Sequence, residues 1–201
     1  MDASQDGLHQ VDVVCVISEL YRGTGVLIVP LIYHVVLNYL EIIMDRFKSV
    51  LLKPITEENW LACIALKVSD DQKNFVAENS VSIAQAYVKN SLHPYGIYQA
   101  DAHSKIDPPM LGFTLFDIGH GIGFILRLMV DIKYQGRGVG HAAMKEAIRR
   151  LKLNSEVQYI ATSHQKDNHT ANALYTGLGF IDWETEWPHH PKNERYLILR
   201  E

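Results

Sequence analysis

The run Gln135-Gly136-Arg137-Gly138-Val139-Gly140 is the segment best suited to holding a ligand. It lies between an apolar, strand-like stretch and a helix-like one. Glycines let a backbone approach a bound group closely. The helix that follows begins with unpaired N–H groups, a favourable setting for phosphate. Arg137 adds a charge that either meets the ligand or faces solvent. Two nucleotide-binding patterns can be tested against this loop. Gly138-x-Gly140-x-x-Ala143 formally fits a dinucleotide fingerprint. That fingerprint also needs an acid about 20 residues on, at the tip of the next strand. The next strand here ends Tyr159-Ile160-Ala161-Thr162, with no acid. A Walker loop fails because no Gly-Lys-Ser/Thr follows. A plain glycine turn into a helix is the ordinary alternative.

Other side chains could do chemistry as well. Glu78 and Asp117 could act as a base or hold a cationic group, although acids are mostly solvated surface residues. His120 and His164 could exchange protons near neutral pH, with structural or surface roles as the ordinary alternative. Asn168 precedes a helix, where Asn usually caps. Tyr175, four residues after Ala171, reads by itself as a core aromatic. His189-His190, flanked by Pro188 and Pro191, reads as a loop, since no third ligand accompanies it. No metal is expected. Cys15 and Cys63 lie far apart without a CxxC pattern, which argues against a disulfide framework and for a reducing compartment.

These residues need elements to position them. Val50 to Ile55 reads as a strand stopped by Pro54. Thr56 opens a helix to about Lys67, expected to bury Leu61, Ile64, Ala65 and Val68. A second helical region starts at Asp70-Asp71 and includes Phe75, Val76, Ile83 and Ala84. Strands follow at Tyr95–Tyr98, Met110–Phe116 and Ile122–Val130, with a polar turn over 101–109 and a hairpin turn over 117–121. Gly138 to Lys152 is a helix with Val139, Ala143, Ala147 and Leu151 on one face. A strand at Val157–Thr162, a short helix at 168–177 and strands at 180–186 and 195–199 complete the chain. The order β-α-α-β-β-β-α-β-α-β-β predicts an α/β (α+β) layer fold with a mixed sheet.

The chain has 201 residues, 47% of them hydrophobic and 21% charged, which is a globular composition. The net charge of -4, with no basic block, argues against nucleic acid as a partner. The division expected is an extension over 1–49 and a folded domain over 50–201. Gly23 to Leu40 carries no charge, yet Pro30, His34 and Asn38 interrupt it, which argues against a membrane span. A packed extension, an apolar helix and a natural start at Met44 are three readings of this region.

The loop also fits the pattern Gln/Arg-x-x-Gly-x-Gly/Ala between a fourth strand and a central helix, through Gln135, Gly138 and Gly140. A second segment fits Asn-x-x-Ala-x-x-Leu-Tyr-x-x-x-Gly-Phe, through Asn168, Ala171, Leu174, Tyr175, Gly179 and Phe180. In these two motifs, in this order, residues from about Leu51 to Arg200 resemble the Gcn5-related N-acetyltransferase (GNAT) superfamily. Within it, Glu57-Glu58-Asn59-Trp60, Leu66 to Gln72 and Arg127 to Asp131 resemble bacterial spermine/spermidine acetyltransferases.

The resemblance implies a mostly antiparallel sheet with helices on both faces. It also implies a splayed cleft between the fourth and fifth strands. Acetyl-CoA is the implied cosubstrate. Leu128, Met129 and Val130 would meet its acetyl and pantetheine part through backbone N–H groups. Gln135, Gly136, Arg137, Gly138, Val139 and Gly140 would hold its pyrophosphate. Asn168 and Asn172 would touch the arm, and Tyr175 would be the general acid. The implied acceptor is a small-molecule amine, with a polyamine such as spermidine as the first expectation. Protein or aminoglycoside-like amines, or a non-catalytic acetyl-CoA sensor, are the alternatives. A cytoplasmic enzyme, with homodimers common in the superfamily, completes the expectation. Polyamine acetylators often carry an acid on the fourth strand, where this chain has Leu126.

Overall fold

The computed structural model describes residues 49–100, 108–184 and 193–200. All belong to one unit, Asp45–Glu201. The readings made for residues 1–48, for most of the 101–109 turn and for His189-His190 lie outside the described residues. The elements are β1 (Val50–Pro54), α1 (Trp60–Ala65), α2 (Asn79–Val88), β2 (Leu92–Gln99), β3 (Gly112–Gly119) and β4 (Ile122–Val130). They continue with α3 (Val139–Lys152), β5 (Tyr159–Gln165), α4 (His169–Gly177), β6 (Phe180–Asp182) and β7 (Glu194–Leu199). This is the order the sequence predicts, with 3-10 turns added at Asp70–Gln72 and Ile132–Tyr134.

The strands form a seven-stranded sheet in the order β1-β2-β3-β4-β5-β7-β6. Every neighbouring pair is antiparallel except β4 and β5. Each face of the sheet has its own apolar layer. On one, α3 and α4 bury Val139, Ala143, Met144, Ala147, Leu151 and Tyr175 against Ile97, Phe116, Ile125 and Leu197. On the other, Cys63 of α1 packs with Phe113, Leu115 and Met129, and Ile83 and Ala86 of α2 pack against that group.

Helix α3 buries the face its sequence predicts. Helix α1 does not. It ends at Ala65, and Leu61 and Ile64 are 61% and 40% exposed, leaving Cys63 as its buried residue. The reason lies beyond the helix. Asp131, at the end of β4, accepts the Lys67 N–H at 3.0 Å, and Lys67 C=O accepts the Ile132 N–H at 2.8 Å. The chain must be extended by Leu66 to reach those partners, so the helical spacing of Val68 is not used. The region from Asp70 likewise divides into a turn and the later helix α2. Asn79 ties the two helices together by donating to Cys63 C=O at 2.8 Å.

Strand β3 approaches β4 closely where β4 ends. A Cβ built on Gly112 would lie 2.3 Å from Met129 O and 3.1 Å from Val130 Cα. Both contacts are backbone, which cannot swing aside. Gly112→Ala is expected to cost about 1–3 kcal/mol through overpacking, read as a lower urea midpoint at unchanged slope.

Candidate active site

Strands β4 and β5 pair over only four residue pairs, Ile122↔Tyr159 to Ile125↔Thr162. Beyond that point they part. Residue Leu126 is a β-bulge on β4, because Leu115 pairs with Arg127 and Phe116 with Ile125. From Ser163 onward β5 pairs with β7 alone. The result is a cleft whose apex is held by Thr162, which donates its hydroxyl to Ile125 C=O at 2.9 Å.

The free edge of β4 can be assigned atom by atom. Asp131 N–H donates to Leu111 C=O at 2.9 Å. With Gly112 opposite Val130, antiparallel alternation then makes Phe113 and Met129 the mutually bonded pair. Met129 therefore turns its N–H toward β3, and Leu128 and Val130 turn theirs into the cleft. The Val130 carbonyl confirms the phase, since it accepts Gln135 Nε2 at 2.9 Å from the cleft side. The sequence reading named Leu128, Met129 and Val130 as donors; the register keeps Leu128 and Val130 facing the cleft and turns the Met129 N–H to β3.

The cleft opens into a cavity of about 430 Å³, within the range of small-molecule sites. Leu128, Met129, Val130, Gln135, Gly136, Gly138, Val139, Gly140, Asn168 and Tyr175 all line it. Gly136 and Gly138 have φ of 71° and 82°, the left-handed region that favours glycine. Gly138 is the N-cap of α3 and has no side chain to satisfy the helix's first N–H groups, so these face the cavity. Gln135 braces the loop, its Nε2 also donating to Gln72 Oε1 at 2.8 Å.

Several candidates are placed differently from expectation. Arg137 is exposed and is not among the lining residues. Asn168 lines the cavity, while its side chain caps α4 by accepting Ala171 N–H at 3.0 Å. Asn172 is outside the lining and accepts Arg195 Nη1 at 2.6 Å. Glu78 and Asp117 do not line the cavity either. Glu78 precedes α2, exposed, and accepts Ser80 Oγ at 3.3 Å. Asp117 sits toward the β3–β4 turn and is held by Lys89 Nζ at 2.6 Å. His120 is in that turn, with φ 53°, at the opposite end of β4 from the cleft.

Tyr175 is 6% exposed, and its ring lies 6.0 Å from those of His164 and Phe180. Burial pushes its phenol pKa up, and a hydrogen bond with Thr162 opposes this in smaller part. The phenol thus keeps its proton at neutral pH. Cys63 is buried too, and burial pushes its thiol up to about 12, which removes it as a nucleophile.

His164 gains most from the structure. It is 6% exposed and lines the cavity. Its Nδ1 lies 2.7 Å from Gln165 C=O, so Nδ1 carries the proton and donates. Its Nε2 is buried and finds no partner among the described residues. Such an atom is costly until a ligand supplies a hydrogen-bond donor. A pantetheine arm carries amide N–H and hydroxyl donors, so the unpaired atom, the open β4 edge and the helix start together fit acetyl-CoA.

Residues 89–180 match the acetyltransferase (GNAT) family. This segment is a GNAT acetyltransferase domain. The chain is 26% identical over 140 residues to the spermine/spermidine N(1)-acetyltransferase of Bacillus subtilis (strain 168), covering 66% of this chain and 88% of that protein. Among solved structures, a Vibrio cholerae and hSSAT spermidine N-acetyltransferase SpeG chimera matches with TM-score 0.56 and 12% identity, over 75% of this chain and 94% of that one. A chain of the NatC complex bound to Gag peptide and CoA matches with TM-score 0.51 and 20% identity, over 75% and 98%. These structural likenesses speak for the GNAT fold.

His164→Leu is expected to raise the melting temperature, because it removes an unsatisfied buried nitrogen worth about 1–3 kcal/mol. The same variant is expected to bind CoA about tenfold more weakly by calorimetry. A change in only one of the two quantities would argue against this role.

Proposed function

We propose that the protein transfers an acetyl group from acetyl-CoA to a primary amine of a small molecule by direct attack. One observation carries the reading. The open edge of β4, the start of α3 and the buried phenol of Tyr175 border a single cavity. Acetyl-CoA supplies the activated thioester.

The chain's part follows from its geometry. The start of α3 and the backbone at Gly136 and Gly138 hold the pyrophosphate. Leu128 and Val130 N–H groups face the arm and the thioester oxygen, where fixed donors stabilise growing negative charge. The amine nitrogen forms the new C–N bond as the C–S bond breaks. Tyr175 gives its proton to the departing thiolate, and the proton lost by the attacking nitrogen passes to solvent, from which the phenolate is reprotonated. A spermidine-type acceptor is supported by the Bacillus relative's name, and a cytoplasmic setting belongs to the same reading. Acetyl-CoA binding without turnover of any amine would favour the sensor alternative.

The proton inventory gives a signed pH prediction. Free alkylamines have pKa near 10, so kcat/KM rises about tenfold per unit between about pH 6 and 8 as the neutral amine grows. Tyr175, with its pKa raised by burial, remains an acid throughout, so no alkaline fall is expected below about pH 10. Tyr175→Phe is expected to lower kcat at least about 100-fold while leaving the acetyl-CoA affinity within about threefold. Thiol release across pH and calorimetry measure both.

A further inference from the structure

We propose that the acceptor amine carries a carboxylate, and that Arg127 binds it. This rests on the acetyl-transfer reading and puts a carboxylate-bearing amine in place of the spermidine-type acceptor.

Arg127 follows the Leu126 bulge on β4 and lines the cavity. Its side chain turns to the α1–α2 face of the sheet, opposite the pyrophosphate loop, where Nη1 donates to Ser82 Oγ at 3.0 Å and Gln85 Oε1 at 2.7 Å. Both partners are uncharged. They use both Nη1 hydrogens and fix the plane of the guanidinium. No described residue bonds to Nε or Nη2. That edge offers two parallel N–H groups, the geometry that a carboxylate accepts bidentately.

Charge points the same way. Burial lowers the Arg127 pKa, the mark of a cation partly removed from water without a counter-charge. The acids that would compensate are elsewhere. Leu126 stands where an acid was expected, Asp117 is engaged by Lys89, and Glu78 is outside the cavity. Asp71 lines the same side but is exposed, so solvent and salt screen it. Asp167, just before the Asn168 cap of α4, also lines the cavity and is exposed, so it is screened in the same way. The acceptor side therefore carries a half-buried positive charge, with exposed acids at the rim. An amine bearing a carboxylate complements that pattern. A polycation would bring further positive charge against Arg127.

Lysine and cadaverine are matched probes, the second being the first without its carboxylate. Thiol release from acetyl-CoA is measured for both, with spermidine alongside, in the wild type, Arg127→Gln and Arg127→Lys. The proposal expects the wild type to favour lysine about tenfold or more in kcat/KM, as suits a charged two-point contact. It expects Arg127→Gln to erase that preference and Arg127→Lys to keep part of it. A wild-type preference for cadaverine or spermidine, or a ratio unchanged in Arg127→Gln, overturns it. If Arg127→Gln does not fold, the ratio in Arg127→Lys decides. If no amine is acetylated, the acetyl-transfer reading fails separately. Calorimetry of lysine and cadaverine on the CoA-loaded protein then judges Arg127: tighter lysine binding that the variant loses supports it, and equal or absent binding overturns it.

Discussion

The parting of β4 from β5 after four paired residues governs the rest of this structure. A strand edge inside a sheet normally spends its N–H and C=O groups on its neighbour. Here the bulge at Leu126 bends β4 at the point where β5 leaves it. The Leu128 and Val130 N–H groups are then left facing a cavity. Gly112 lets β3 follow β4 closely around that bend, and Asp131 ties its end to Lys67. Gln135 closes the arrangement by joining the loop to Val130 and to Gln72. Each of these contacts holds open an edge that would otherwise be paired.

The two faces of the cleft have different chemistry. On the α3–α4 side lie the left-handed glycines, the helix start, and the aromatic cluster of Tyr175, His164 and Phe180. On the α1–α2 side lie the buried polar residues Asn79 and Ser82 and the half-buried Arg127. A helix that buries Asn and Ser while Val81 and Tyr87 stay exposed is not shaped by packing alone. Its buried Ser82 and exposed Gln85 give Arg127 neutral partners. The division suits a reaction that brings two molecules together from opposite sides of one sheet.

The element order and the residues lining the α3–α4 side of the cleft were legible in the sequence for a physical reason. Glycine spacing, the apolar face of α3 and the run from Asn168 to Phe180 are local patterns, read within a few residues. What was not legible depended on distant partners. The length of α1 is set by Asp131, 64 residues beyond Lys67. Asn172 is spent on Arg195, and Asp117 on Lys89. That Leu128 and Val130 face the cleft while Met129 turns its N–H to β3 follows from register with β3, which no single strand encodes. His164 was visible as a titratable residue, but its Nε2, unpaired among the described residues, depends on the fold around it.

Amide hydrogen exchange, resolved residue by residue with and without acetyl-CoA, tests the open β4 edge most directly. The account predicts that Leu128 and Val130 amides exchange quickly in the free protein and become protected when acetyl-CoA binds. Met129, bonded to β3, is predicted to stay protected in both states. Protection that appears at Met129 and not at its two neighbours, or no change at any of the three despite binding, would contradict the account.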